Sequence, residues 1–381
     1  MSATVTLQGA QVLWPEGPET RDLHLVDGFV SDTPTGRTVD LSGYMVLPGL
    51  VDIHGDGFER HLAPRRGAMK DVDQGLIATE AELAANGITT ATLAQFYSWE
   101  GGMRGPDFAE KVFAGLNAVR PQVETDLLAQ LRFEIPMLED YAAVEEMVAH
   151  HAIPYVVFND HLPHEELAKG KRPPRLTGQA LRIGRNPEKH LAFMQGLHAR
   201  MPEVEPALDA LSARLIAAGV RLGSHDEATA ADRAGNRARG IRISEFPETL
   251  EAAEAARASG DSVIMGAPNL VRGGSHNGNV NALELAAMGL IDALASDYHY
   301  PSLKRAAFLL TDGGVCGLAA AWQLISLGPA RILGLEDRGE LRPGLRADLT
   351  VIDPVSRRIM ATMAGGRVSY MTGAVAARFM G

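Results

Sequence analysis

Six apolar, strand-like runs of this chain end in histidine or carboxylate. "GLVDIHGDG" carries His54 and Asp56, and "LRFEI" carries Glu134. "IPYVVFND" runs into Asp160 and His161, and "GSHDEA" holds His225, Asp226 and Glu227. "IRISEF" ends near Glu245, and "DALASDY" carries Asp297. Imidazole and carboxylate donors together suit Zn, Mn, Fe or Ni better than Ca or Mg. The set is large enough for one or two divalent ions. A single strand-end histidine is ordinarily a hydrogen-bonded structural residue. A single strand-end acid is ordinarily the N-cap of the next helix, a role open to Asp160, Asp226 and Glu245. The metal reading rests on recurrence: His54, Asp56, Glu134, His161, His225 and Asp297 fall on the same side of successive units.

Such residues need a scaffold that brings strand ends together. Between about 48 and 340, eight strand-like runs alternate with helical patterns such as "DQGLIATEAELAANG" and "EFPETLEAAEAARASG". Runs that are apolar on both faces imply a parallel sheet covered by helices. Eight such units predict a distorted (β/α)8 TIM barrel over 48–340, with the polar residues on the catalytic C-terminal rim. Polar groups that converge at one mouth repel or neutralise each other unless a cation joins them. A doubly wound open sheet is the alternative, but "GLVDIHGDG" lacks the G-x-G-x-x-G fingerprint. Residues 1–47 and 341–381 hold short alternating runs, including "TVTLQGAQVLW", "DLTVID" and "GGRVSYM", and predict one small β-sandwich built from both termini.

The chain has 381 residues, 46% hydrophobic and 22% charged, with a net charge of −11. That balance argues against nucleic acid or an anionic membrane as partner. It leaves a homo-oligomer open. The single cysteine, Cys316, excludes an internal disulfide and a multi-cysteine zinc site. The start, "MSATVTLQGAQVLW", lacks a basic segment followed by an apolar core. Together these point to a cytoplasmic protein. The uncharged segment 313–330 is interrupted by Gly, Gln, Ser and Pro, and predicts a buried helix rather than a membrane span.

The motifs quoted above, with "VLPGLVDIHGD" and "GLRADLTVID", resemble the amidohydrolase superfamily. "HGDGFERHLAPRRG", "SHDEAT", "EFPETLEAA", "VIMGAPNLVRGGSHNGNV" and "LASDY" resemble, more closely, its α-D-ribose 1-methylphosphonate 5-triphosphate diphosphatase family, over nearly the whole chain. That resemblance implies a metal-dependent hydrolase that releases pyrophosphate from a ribosyl triphosphate. It implies divalent ions (Zn, Mn or Fe), no organic cofactor and a small anionic phosphorylated substrate. It also implies His54, Asp56, Glu134, His161, His225 and Asp297 as ligands, with Glu134 bridging. The superfamily usually places the two mid-barrel histidines on strands five and six. Here they follow the fourth and fifth runs, unless a strand hides in 186–219.

The chemistry then assigns Asp297 as the catalytic proton acceptor. A phosphoanhydride needs positive charge around its leaving group. Residues 167–187 carry six Lys or Arg and no acid, including Lys171 and Arg172, and a lid is one reading of that segment. Arg65 and His61 follow the first strand, and "VRGGSHNGN" offers Arg272, Gly274, Ser275 and His276 after the seventh. A basic run is most often a solvated surface, and a glycine-rich turn is most often only a turn. Cleavage of a C–N bond in a cyclic amide or N-acyl compound is the alternative function. It predicts the same ligands without the basic loops.

Overall fold

Eight parallel strands make one sheet in the computed structural model of the chain, which describes residues 3–63, 71–274 and 279–381. They are β1 (Leu50–Gly55), β2 (Ile88–Tyr97), β3 (Asp126–Glu134), β4 (Tyr155–Asn159), β5 (Arg221–His225), β6 (Ile243–Glu245), β7 (Ser262–Gly266) and β8 (Ala293–Ala295). Each pairs with the next in sequence. These are the eight strands the sequence predicts. Residues 186–219 hold the helices Pro187–Ala199 and Met201–Ala217, so no strand hides there, and His161 and His225 do follow the fourth and fifth strands.

The reason for a parallel sheet is visible in β2, whose ten residues are all buried. A strand covered on both faces needs helices outside it. Val72–Ala85 and Pro106–Val119 pack there, and Asp71 caps the first by accepting from the Asp73 and Gln74 N–H groups. On β3 the sequence Gln130-Leu131-Arg132-Phe133-Glu134 alternates polar and apolar residues. Side chains along a strand alternate between faces. Leu131 and Phe133 accordingly join the large apolar cluster under the helices. Gln130, Arg132 and Glu134 turn to the opposite face, where the polar strand-end residues gather.

Two further sheets come from the ends of the chain. A four-stranded sheet orders Phe29–Ser31, Leu23–Val26, Val5–Gln8 and Thr38–Asp40. A six-stranded sheet orders Arg367–Met371, Ile359–Ala364, Leu349–Ile352, Met45–Pro48, Gln11–Trp14 and Gly17–Thr20. C-terminal Leu349–Ile352 pairs antiparallel with N-terminal Met45–Pro48, so neither end completes this sheet alone. Val5, Leu7, Val12, Leu25, Val351 and Met363 share one core. The 313–330 segment forms the short helix Leu318–Gln323 and the start of Leu327–Leu333. Among the described residues, no helix is long and apolar enough to cross a membrane.

The sheet closes at a narrow seam. β8 returns to β1 through a single bridge, Gly55 to Asp297. The Asp297 N–H donates to the His54 carbonyl at 2.9 Å, and the Asp56 N–H donates to the Asp297 carbonyl at 2.9 Å. Below this, fully buried Asp52 accepts from the Ser296 N–H at 2.9 Å and from its hydroxyl. A Cβ on Gly55 would stand 2.7 Å from an Asp52 oxygen, so glycine is required there by close approach. Ser296→Ala strips one donor from a buried carboxylate, and a loss of about 1–3 kcal/mol is expected. Urea unfolding measures it; a change below about 0.5 kcal/mol, the range of ordinary surface substitutions, would show that Asp52 does not clasp the seam.

Candidate metal centre

His54, one residue before the end of β1, has no solvent exposure. Its Nδ1 lies 2.8 Å from Glu245 Oε2 on β6. A carboxylate only accepts, so Nδ1 carries a proton, and in the neutral ring Nε2 holds the lone pair. That Nε2 is buried and has no hydrogen-bond partner. A carboxylate that orients a histidine while the far nitrogen points at open donor space is the usual support for a metal-binding imidazole. Glu245 is itself held on all sides, accepting from Tyr155 Oη at 2.6 Å and Gln130 Nε2 at 2.8 Å. Burial works to raise its pKa, but His54, His225 and the Tyr155 hydroxyl outweigh that and leave it below the usual range.

The other predicted residues arrive from neighbouring strand ends. His225 closes β5, and candidate donor atoms of His54, His225 and Glu245 lie within 4.8 Å of one another. Burial depresses the His225 pKa and so favours its neutral, ligand-competent form. His161, just past β4, bonds through Nδ1 to Glu134 at the end of β3. Its N–H also donates to Glu134 Oε2 at 2.9 Å, and the Trp99 indole reaches the same oxygen at 3.3 Å. Atoms of His161, His225 and Asp226 form a second set within 4.8 Å. Asp56 sits at the seam beside Asp297. Burial, then the charge of Asp56, lifts the Asp297 carboxyl to about 6.

Three residues around this rim hold left-handed backbone although none is glycine: Asp226 (φ 58°), Phe246 (φ 54°) and Asp297 (φ 55°). Asp226 and Phe246 directly follow strands and Asp297 lies two residues past β8, and each still donates its N–H to the next strand: Asp226 to the Glu245 carbonyl, Phe246 to that of Ile264, Asp297 to that of His54. Such conformations cost of order 1 kcal/mol or more and persist where surrounding structure over-determines them, commonly at functional sites. The Phe246 ring stands edge-on to both His54 and His225, each at 5.0 Å between centroids.

The capping alternative does not hold for these acids. Thr249 caps Leu250–Ala258, and Thr229 with Asp232 forms a capping box on Ala230–Ala238. Glu245 and Asp226 are therefore released for the site. Asp160 accepts from the Leu162 N–H and from His164 instead of capping a helix. The predicted substrate-binding residues are scattered. His61 bonds to Glu82 at 2.6 Å. Arg272 donates to Tyr298 Oη at 2.7 Å, next to Asp297. Gly274 follows at φ 158°. Lys171 is exposed, and Arg172 is paired with Glu188, within a segment that folds partly as the helices His164–Ala168 and Leu176–Arg182. Arg65, Ser275 and His276 lie outside the described residues.

Residue spacing had not singled out Arg132, Gln130 or Trp99, nor separated Glu245 from its capping role. The alternation along "QLRFE" was the available signal for Arg132 and Gln130, since two polar residues share the face of Glu134. A contrasting cluster shows what satisfied histidine looks like. His151 Nε2 lies 3.0 Å from Glu110, and its Nδ1 lies 3.2 Å from the Asn117 amide. Arg120 bonds to Asn117 Oδ1, fixing that amide as the donor. Both ring nitrogens of His151 are thus used, unlike those of His54.

The residues present fit a divalent ion, with His54 Nε2 and His225 Nδ1 as buried nitrogens without a hydrogen-bond partner. Glu245→Gln is expected to weaken divalent-metal affinity about 10- to 100-fold, and His54→Ala to weaken it further, by competition against a chromogenic chelator. Unchanged affinity in Glu245→Gln would remove it from the support of His54.

Residues 137–370 match the amidohydrolase family. The chain is 35% identical over 339 residues to the α-D-ribose 1-methylphosphonate 5-triphosphate diphosphatase of Escherichia coli strain K12, covering 83% of this chain and 85% of that protein. A dihydroorotase of Geobacter sp. strain M21 is 36% identical over 115 residues, 22% of this chain and 27% of that protein. Among solved structures, N-acetylglucosamine-6-phosphate deacetylase from Pasteurella multocida superposes with a TM-score of 0.61 at 12% identity, covering 96% of this chain and 99% of its own. The β-aspartyl dipeptidase of Fervidobacterium islandicum AW-1 gives 0.59 at 13%, covering 97% and 98%. With the family match spanning more than half its length and this barrel beneath it, the chain belongs to the amidohydrolase family.

Proposed function

We propose that this hydrolase cleaves a phosphoanhydride, releasing pyrophosphate from a substrate like α-D-ribose 1-methylphosphonate 5-triphosphate and leaving the 5-phosphate. The observation that carries this reading is an arginine-lined His/carboxylate centre in a protein of net charge −11. Arg132 lies within the centre, donating to Asp56 at 3.4 Å and bonding to His225 at 3.1 Å. At the rim, Arg60 donates to the Tyr298 carbonyl at 3.0 Å, while Arg272 reaches the hydroxyl of the same tyrosine. Arg104, paired with Glu100 as Arg60 is with Glu82, packs over the Phe96 ring at 4.2 Å, and Arg132 packs over it at 3.8 Å. A departing diphosphate needs such charge; a neutral amide does not. The extended likeness to the E. coli diphosphatase supports the same substrate class.

His54, Asp56, Glu134, His161, His225 and Asp297 would hold one or two divalent ions, with Zn, Mn or Fe suited to the donors. A bound ion supplies Lewis acidity and lowers the pKa of water to about 7. The protein's own work is orientation and proton handling. Glu245 fixes the His54 tautomer, and Trp99 with the His161 N–H fixes the Glu134 carboxylate. Asp297, lifted to about 6, is mostly ionised at neutral pH yet able to carry a proton to the leaving oxygen. Cytoplasmic placement accords with the lone cysteine.

Hydrolysis of a C–N bond is the second reading. The partial likeness to a dihydroorotase favours it. Protein loaded with Mn²⁺ or Zn²⁺ is expected to release pyrophosphate from ribose-linked triphosphates. His54→Ala and Asp297→Asn should each lower kcat by at least about 100-fold. Stoichiometric metal with no pyrophosphate release, but turnover of cyclic amides or N-acyl compounds, would overturn the first reading in favour of the second.

A further inference from the structure

Arg132 is the basic group held deepest in the centre. It is 5% exposed, its Nε is buried without a partner, and its guanidinium lies 3.8 Å from the Phe96 ring centroid. Its two acceptors are Asp56 Oδ2 and His225 Nε2. These are lone pairs of residues assigned above to a divalent ion. His225 Nε2 has one lone pair, so an ion that takes it displaces the guanidinium, which then keeps only the long 3.4 Å contact to Asp56. The guanidinium cannot lose its proton to relieve the conflict. It has little freedom to withdraw, because its stem belongs to β3 and its plane packs on Phe96. With that lone pair taken, a buried, pre-oriented cation whose Nε already lacks a partner is left short of acceptors. Burying a charge without a partner is costly.

Resting on the functional reading above, we propose that Arg132 is a substrate-binding residue that grips the phosphoryl oxygens of the bound polyanion. The planar fork of arginine matches two phosphoryl oxygens at once. The same arrangement would make an uncharged substrate a poor occupant, because it leaves the guanidinium unpaired. Arg132 thus selects for phosphorylated compounds at the reacting end, while Arg60 and Arg272 stand further out beside Tyr298. The competing role is purely structural: a counter-charge that holds Asp56 and neighbouring Glu59 together.

Inorganic pyrophosphate is the probe, titrated calorimetrically into Mn²⁺-loaded full-length protein, with metal content measured on the same samples. Arg132→Gln is expected to keep its metal within about twofold of wild type and to weaken pyrophosphate binding about 10- to 100-fold. Arg132→Lys, a point charge without the fork, should fall between them. Added guanidinium ion should restore part of the lost affinity in Arg132→Gln. Should Arg132→Gln lose metal or fail to fold, Arg132→Lys decides: metal retained with weakened pyrophosphate binding supports the proposal. Pyrophosphate affinity within twofold of wild type in a metal-loaded variant overturns it, and so does loss of metal from both variants. Pyrophosphate binding that depends on Arg132 in a protein unable to cleave ribosyl triphosphates would sink the functional reading and leave this assignment standing.

Discussion

The seam between β8 and β1 is the constraint on which the site depends. An eight-stranded parallel sheet closes only if its last strand finds its first, and here β8 is three residues long. Closure therefore uses the backbone of the very residues whose side chains line the candidate centre: the His54 carbonyl, the Asp56 N–H and both backbone groups of Asp297. Residues more than 240 positions apart in sequence are fixed relative to one another by main-chain hydrogen bonds rather than by flexible side chains. Left-handed Asp297 extends that ladder while turning its carboxylate toward Asp56. The clasp of Asp52 on Ser296 holds the same joint from below.

Charge organises what the seam assembles. Glu134, Glu245, Asp56 and Asp297 crowd one end of the barrel, where burial works against the charged forms of Glu245 and Asp297. The structure answers in two ways. Glu245 is satisfied by His54, Gln130 and Tyr155, which turns a costly buried acid into a fixed support for one imidazole nitrogen. Asp56 and His225 share Arg132, which places a permanent positive charge among groups suited to binding cations. On the proposed reading, that combination favours an anionic substrate, whose oxygens can meet the guanidinium.

Much of this was legible in the sequence. The eight barrel strands could be drawn from apolar runs bounded by Gly and Asp, since strands buried on both faces tolerate little else. The pairing of the two termini was also legible, though Ile359–Ala364 between the two recognised C-terminal runs was not, its "IMATMA" lacking clear alternation. Strand-end histidines stood out because imidazole is rare at such positions. Arg132 and Gln130 were hidden for a physical reason: they lie inside a strand, where a polar residue reads as an interruption until its face is known. Glu245 was hidden because a carboxylate before a helix looks like a cap, and only Thr249 in place shows that the cap is supplied elsewhere.

Local sequence by itself determined the alternation of strand and helix, the acidic character of the chain and the residue types at the strand ends, because these follow from periodicity, propensity and composition. Tertiary structure alone decided which nitrogen of His54 is free, that Arg132 joins Asp56 to His225, and that Arg172 pairs with Glu188 instead of standing free. Those outcomes depend on distances of a few ångströms between residues far apart in sequence, and only closure of the barrel sets such distances.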